Sequence, residues 1–233
     1  MRLRSCHTSP VPFSPPIAAA LVAAGLMVPA SVAHGEIIVD DFTSGDFVQT
    51  NSEDVIFSEQ AGSMIGGFRF AGQRVRDNPL GLDLTTSVGD GAFSFLAGDE
   101  LRGLALLGWG SGTVLGSELN LDLTGNTDIE LRFTEALDVD VQFRIELFTS
   151  GVGNDRLSMA APAGSTSVVI DLSSLDEVDL TDVDSLSVEF NFGSNAPTGL
   201  ELSIDRVAFV PAPGAFMLIG MAGAAVGRRR RRA

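Results

Sequence analysis

Few side chains in this chain of 233 residues could do covalent chemistry. It has one cysteine, Cys6, two histidines, His7 and His34, no tyrosine and no lysine. Cys6 and His7 precede an N-terminal apolar run, which leaves His34 as the single imidazole of the remaining chain. Ser-His-Asp triads, cysteine nucleophiles, Schiff-base lysines and histidine-rich metal centres therefore lack their parts. No glycine-rich phosphate loop of the P-loop or dinucleotide-binding type is present. Two carboxylates suffice for glycoside hydrolysis, and 30 acidic residues guarantee that some will be neighbours. A carboxylate-dependent glycoside hydrolase is thus the enzymatic alternative to a role without catalysis.

Binding chemistry is better provided for. Gln142, Arg144 and Glu146 alternate with apolar residues, as do Glu130 with Arg132 and Glu189 with Asn191. Such groups, pointing away from a core, can hydrogen-bond sugar hydroxyls, and Trp109 in LLGWGSG offers a ring for stacking. The competing reading is structural: cross-strand Glu/Arg pairs stabilise sheets, and a lone tryptophan among leucines suits a core.

These residues need strands to position them, and the sequence is rich in strand periodicity. Val139, Val141, Phe143, Ile145 and Leu147 form the strongest run, with Asp140, Gln142, Arg144 and Glu146 on the other phase. Leu119, Leu121 and Leu123 alternate in the same way, as do Ile129, Leu131 and Phe133, and Leu186, Val188, Phe190 and Phe192. TSVVIDL, EIIVDDF, DVIFS, GGFRF, GLDLTTS, GAFSFLA and LRGLALLGW are further candidates, separated by Gly and Asn/Asp clusters. Ser173–Asp184 reads as an Asp-rich loop. In the last candidate strand Leu200, Leu202 and Ile204 occupy one phase, but Val207 and Phe209 the other. One extra residue at Asp205–Arg206, a β-bulge, would keep both sets inside. The expectation is an all-β, two-sheet sandwich over residues 34–209, flanked by an N-terminal signal helix and a short C-terminal hydrophobic helix.

Both ends differ from this middle. Arg2 and Arg4 precede the twelve apolar residues Ile17 to Val28, and Ser31 and Ala33 are small, as at a signal-peptidase site cutting between Ala33 and His34. A membrane span needs roughly 20 residues, so residues 1–33 read as a cleaved signal peptide. Residues 210–233 read VPAPGAFMLIGMAGAAVGRRRRRA. Gly214 to Gly227 would reach only about 21 Å as a helix, but arginines can snorkel and mark the cytoplasmic side of a stop-transfer segment.

That ending resembles the PEP-CTERM sorting signal of exported bacterial proteins. Val210, Pro211, Ala212 and Pro213 stand at its Pro-x-Pro motif, with Ala212 in place of the usual glutamate, and Arg228, Arg229, Arg230, Arg231 and Arg232 form its basic cluster. The resemblance implies transient membrane anchoring, recognition by an exosortase-type protease and delivery to the cell surface or extracellular matrix. Seven of the 15 basic residues and none of the 30 acids lie in the two ends, leaving eight against 30, a net charge of −22. This excess disfavours nucleic acid as a partner. The middle has no cysteine, so its core must hold it without disulfides.

IIVDDF, LTDVDSLSVEFNF and LELSIDRVAFV give the domain a pattern similar to the galactose-binding-like jelly roll of many carbohydrate-binding modules. That resemblance implies a structural calcium ion near the chain ends, for which Asp40, Asp41 and Asp205 supply hard oxygen ligands. The function expected is that of an exported, non-enzymatic surface or matrix protein associated with exopolysaccharide. A carbohydrate-binding module and a carboxylate hydrolase are the alternatives.

Overall fold

A computed structural model describes residues 35–111 and 116–211. The signal helix, the Ala33/His34 cleavage point, the C-terminal helix and the sorting residues from Ala212 onward lie outside the described residues. Thirteen strands follow one another: β1 (Ile37–Asp40), β2 (Phe47–Asn51), β3 (Val55–Ala61), β4 (Phe68–Asp77), β5 (Leu84–Gly89), β6 (Ala92–Ala97), β7 (Arg102–Gly110), β8 (Asp128–Phe133), β9 (Val141–Thr149), β10 (Gly153–Ala161), β11 (Ser167–Asp171), β12 (Ser185–Phe190) and β13 (Glu201–Val210). Among the described residues the helical content is one 3-10 turn, Ile65–Gly67.

The strands form two antiparallel sheets. One has seven strands in the order β11-β8-β13-β6-β5-β2, with β1 pairing along the far half of β13; the other runs β10-β9-β12-β7-β4-β3. Each sheet buries one face, because apolar side chains occupy one phase of each central strand. Phenylalanines join the layers: Phe93 of β6 stacks on Phe190 of β12 at 5.6 Å, and Phe133 of β8 on Phe143 of β9 at 5.7 Å. The architecture is therefore a β-sandwich, as the alternation requires.

The extra residue in the last strand is present. Ile204 pairs with Phe133 and Arg206 with Arg132, so Asp205 has no opposite number on β8. Ile204, Val207 and Phe209 are all fully buried as a result. The strand continues through Val210, and Pro211 behind it is buried.

Two sequence expectations fail locally. Leu119, Leu121 and Leu123 do not form a strand; only Leu121 makes a bridge, to Val183. Asn120 takes φ +50°, which breaks an extended run, although Leu123 is still buried. Val139 lies outside β9 and is exposed. Two edge strands, β2 and β10, carry too little apolar alternation to be read from sequence.

Candidate functional site

Antiparallel register gathers the outward side chains of the six-stranded sheet into ranks that cross its strands. One rank runs Arg156, Glu146, Ser187, Gly108, Phe70, Glu59 from β10 to β3. The rank on one side holds Phe148, Ser185 and Gly110; the rank on the other holds Arg144, Glu189, Leu106, Gly72 and Phe57. Small residues thus meet across two strands, Ser185 and Ser187 beside Gly108, with Phe148 on one flank and Phe70 on the other, while Gly110, at φ +93°, is covered by Leu119 and the Asp184 carbonyl. The result is a depression of about 220 Å³ lined by Phe70, Phe148, Gly108, Ser185, Ser187 and Glu146.

The rings outside the core have identifiable supports. Phe57 is 59% exposed, yet its ring lies flat on the sheet, stacked on Phe70 at 5.1 Å and 27°. Gly72 permits this: a Cβ there would come within 2.7 Å of the Phe57 ring. At Gly108, by contrast, a Cβ would meet nothing nearer than 3.8 Å, so the floor of the depression has room for one in ordinary contact with Phe70.

Charged groups border the depression in matched pairs. Arg156 donates through Nε to Glu146 Oε2 at 2.8 Å and through Nη2 to Oε1 at 3.1 Å, and Asn154 also donates to Glu146. Burial pushes the Glu146 carboxyl up, but hydrogen bonds from Arg156 and Asn154, with the charges of Arg156 and Arg144, outweigh it and hold the group below the ordinary carboxylate range. Arg144 pairs with Glu189 and lies 4.9 Å over the Phe192 ring. Gln142 lines a separate shallow depression of about 250 Å³ beside Phe192, Gly193 and Ser194.

The structure separates several residues that the sequence reading grouped. Gln142, Arg144, Glu146 and Glu189 do share this face. Glu130 and Arg132 lie on β8, in the other sheet. Asn191 is fully buried and donates to the Gly103 and Pro197 carbonyls at 2.8 and 3.1 Å, which takes it off the outer face. Trp109 is corrected too. It is 1% exposed, on the inward phase of β7, and its indole N–H donates to Asp40 Oδ2 at 2.9 Å, so no ring face is free to meet a sugar. Phe70, Phe148 and Phe57 were missed. The legible signal was a phenylalanine on the polar phase: Phe148 follows Gln142, Arg144 and Glu146.

The proposed calcium ligands do not assemble. Asp40, 2% exposed, receives Arg69 Nη1 at 2.7 Å, the Trp109 indole and the Phe42 backbone N–H at 2.8 Å. Asp41 accepts from the Thr43 hydroxyl at 2.6 Å, and that bond chiefly lowers its pKa. Asp205 pairs with Arg132 at 2.7 Å. Each carboxylate is already engaged by its own partner, and among the described residues no group of three or more His, Cys, Asp or Glu is placed to hold a metal.

No family model matches the chain, and no curated protein matches it. Among solved structures it is similar to that of PfGH50B, at 10% identity over 60% of this chain and 22% of that one, with a TM-score of 0.39. The glycoside hydrolase domain of Endo-D from Streptococcus pneumoniae is similar at 11% identity over 72% and 22% of the two chains, with a TM-score of 0.33. A family 29 carbohydrate-binding module solved with mannohexaose is similar at 14% identity over 70% and 92%, with a TM-score of 0.31. This chain spans about a fifth of the first two, and all three TM-scores lie below 0.5, so the sheet face alone bears on function.

Proposed function

We propose that this protein is an exported, non-enzymatic surface or matrix component that grips polysaccharide on the outer face of its six-stranded sheet. The observation that carries this reading is the open floor of Gly108, Ser185 and Ser187 between Phe70 and Phe148. Phenyl rings stack against the C–H faces of sugars, and serine hydroxyls with Glu146 supply donors and acceptors for sugar hydroxyls. A hydrolase needs one carboxyl free to give a proton and another free to attack or activate water. On this face Glu146 and Glu189 are each bound to an arginine instead, which favours binding over hydrolysis at this site. The chain passes repeatedly between the two sheets, which supports a jelly-roll winding. The signal-like start and PEP-CTERM-like end supply delivery: signal peptidase and an exosortase-type protease process the ends, with transient membrane anchoring between. A structural calcium ion is not part of the proposal.

The test is retention of the mature protein on exopolysaccharide from its native host, beside Gly108→Val. A Cβ at this position meets no atom nearer than 3.8 Å, and valine's added bulk occupies the floor, so retention is lost while the melting temperature stays within the few degrees of an ordinary surface change. Equal retention of both proteins would remove the site. Mass spectrometry of the protein from its host tests the processing, with a new N-terminus at His34 and loss of the arginine cluster expected.

A further inference from the structure

We infer that the sheet face binds an internal stretch of a neutral polysaccharide chain, laid across the strands from Phe148 past Phe70 to Phe57. This rests on the proposed sugar-binding reading and adds the direction, the length and the charge class of the ligand.

Direction follows from which residues are small. Gly108, Ser185 and Ser187 sit side by side on adjacent strands, so the trough they leave leads from one strand to the next. Phe148 and Phe70 lie at its two flanks, and the stacked pair Phe70–Phe57 continues the apolar surface to the last strand of the sheet. Gly72 is the enabling residue, since any larger side chain would lift the Phe57 ring off the sheet. From β9 to β3 is four strand spacings, about 19 Å. That is longer than one sugar ring and suits several in a row. The trough ends on β3 at the sheet edge, beside exposed Phe57, so a chain can run on past the protein there.

Charge selects the class. Arg156 cancels Glu146 and Arg144 cancels Glu189, so these four bordering groups contribute no net charge. The remaining field is that of a domain with eight basic and 30 acidic residues, which repels polyanions from every side. A uronate or sulfated polymer would meet that repulsion, which the exposed guanidinium of Arg74, one rank beyond Gly72 on this face, offsets only in part. A neutral polymer needs no such offset.

Exopolysaccharide from the native host is split by anion exchange into neutral and acidic fractions, and the neutral fraction is cut into a size ladder. Titration of the mature protein should show binding to the neutral fraction. Affinity should rise along the ladder until fragments span about 19 Å, then level off. Phe57→Ala alters an exposed ring and keeps the fold; it should weaken the long fragments about tenfold and leave the shortest unchanged. Binding confined to the acidic fraction, full affinity for a single sugar, or an unaltered Phe57→Ala protein at all lengths would overturn this inference while leaving a sugar site in place. Failure of both fractions to bind would overturn the underlying reading as well.

Discussion

Replacing Asp40 by alanine tests how the two layers are held together. Asp40 belongs to the seven-stranded sheet, whereas Arg69 and Trp109 point inward from the six-stranded one. The three are 2%, 0% and 1% exposed. Besides Asp40, Arg69 donates to the Gly45 carbonyl at 2.7 Å and the Ser44 carbonyl at 3.2 Å, and its guanidinium lies 5.4 Å from the Phe42 ring and 5.8 Å from that of Phe47. Alanine at position 40 leaves a buried cation with no counter-charge and orphans two N–H donors, those of the indole and of Phe42. Breaking a buried pair from one side costs about 3–5 kcal/mol, a large share of the roughly 5–15 kcal/mol that stabilises a domain. In a domain of this length that is roughly 6–20 °C of melting temperature.

Trp109 is the only tryptophan and there is no tyrosine, so intrinsic fluorescence reports from inside the network itself. Urea unfolding followed at the tryptophan gives the midpoint directly. Asp40→Asn keeps an acceptor for the N–H donors but not the charge, and should fall between wild type and Asp40→Ala. The double replacement Asp40→Leu with Arg69→Met removes both charges and should recover part of the loss. A cost below about 1 kcal/mol for Asp40→Ala, the range of an exposed pair, or additive single effects, would refute the argument that this pair is a desolvated cross-layer tie.

Deleting Asp205 should cost about 3–6 kcal/mol, because closing the bulge turns either Val207 and Phe209 or Leu202 and Ile204 out of the core; Asp205→Ala removes only a partly exposed pair with Arg132 and should cost no more than about 1 kcal/mol. Chemical denaturation of the two variants separates these outcomes. Asp128 faces Asp171 across the β8–β11 pair, and burial first, then the Asp171 charge, raises its carboxyl above the ordinary 3.8. Folding therefore favours its protonated form, and that stability is lost as pH rises through the raised value. Asp128→Asn should raise the melting temperature at pH 7, with the gain shrinking as pH falls toward 3.8.

Much of the fold was written in side-chain phase. The odd residues from Val141 to Leu147 are all fully buried, and the phase slip between Ile204 and Val207 located the bulge at Asp205. Phase assigns a residue to a face, however, and not to a sheet. Glu130 and Arg132 have the same pattern as Arg144 and Glu146, yet β8 and β9 lie in opposite layers, so their outward faces look in opposite directions. Partnership is decided by how the chain crosses over, which local alternation does not encode. Asn191 fails for another reason. Its φ of +58° takes it out of strand geometry, so counting by twos from Glu189 gives the wrong direction. Leu119 to Leu123 repeats the lesson, since alternation survived there as partial burial without any strand pairing beyond one bridge.

The position of Trp109 inside the sandwich links the buried tie to the trough. On β7 the inward residue is Trp109 and its outward neighbour is Gly108; on β4 the inward residue is Arg69 and its outward neighbour is Phe70. The pleat makes these choices inseparable. With the Trp109 indole and the Arg69 guanidinium both fixed on Asp40, Gly108 must face out directly opposite Phe70, and the floor of the trough is set beside its wall. A slip of one residue in β7 would put the indole into the trough and a glycine into the core, losing both the tie and the open floor. The indole is therefore kept inside, where it holds Gly108 in place, and phenylalanines on the neighbouring positions line the proposed sugar-binding face.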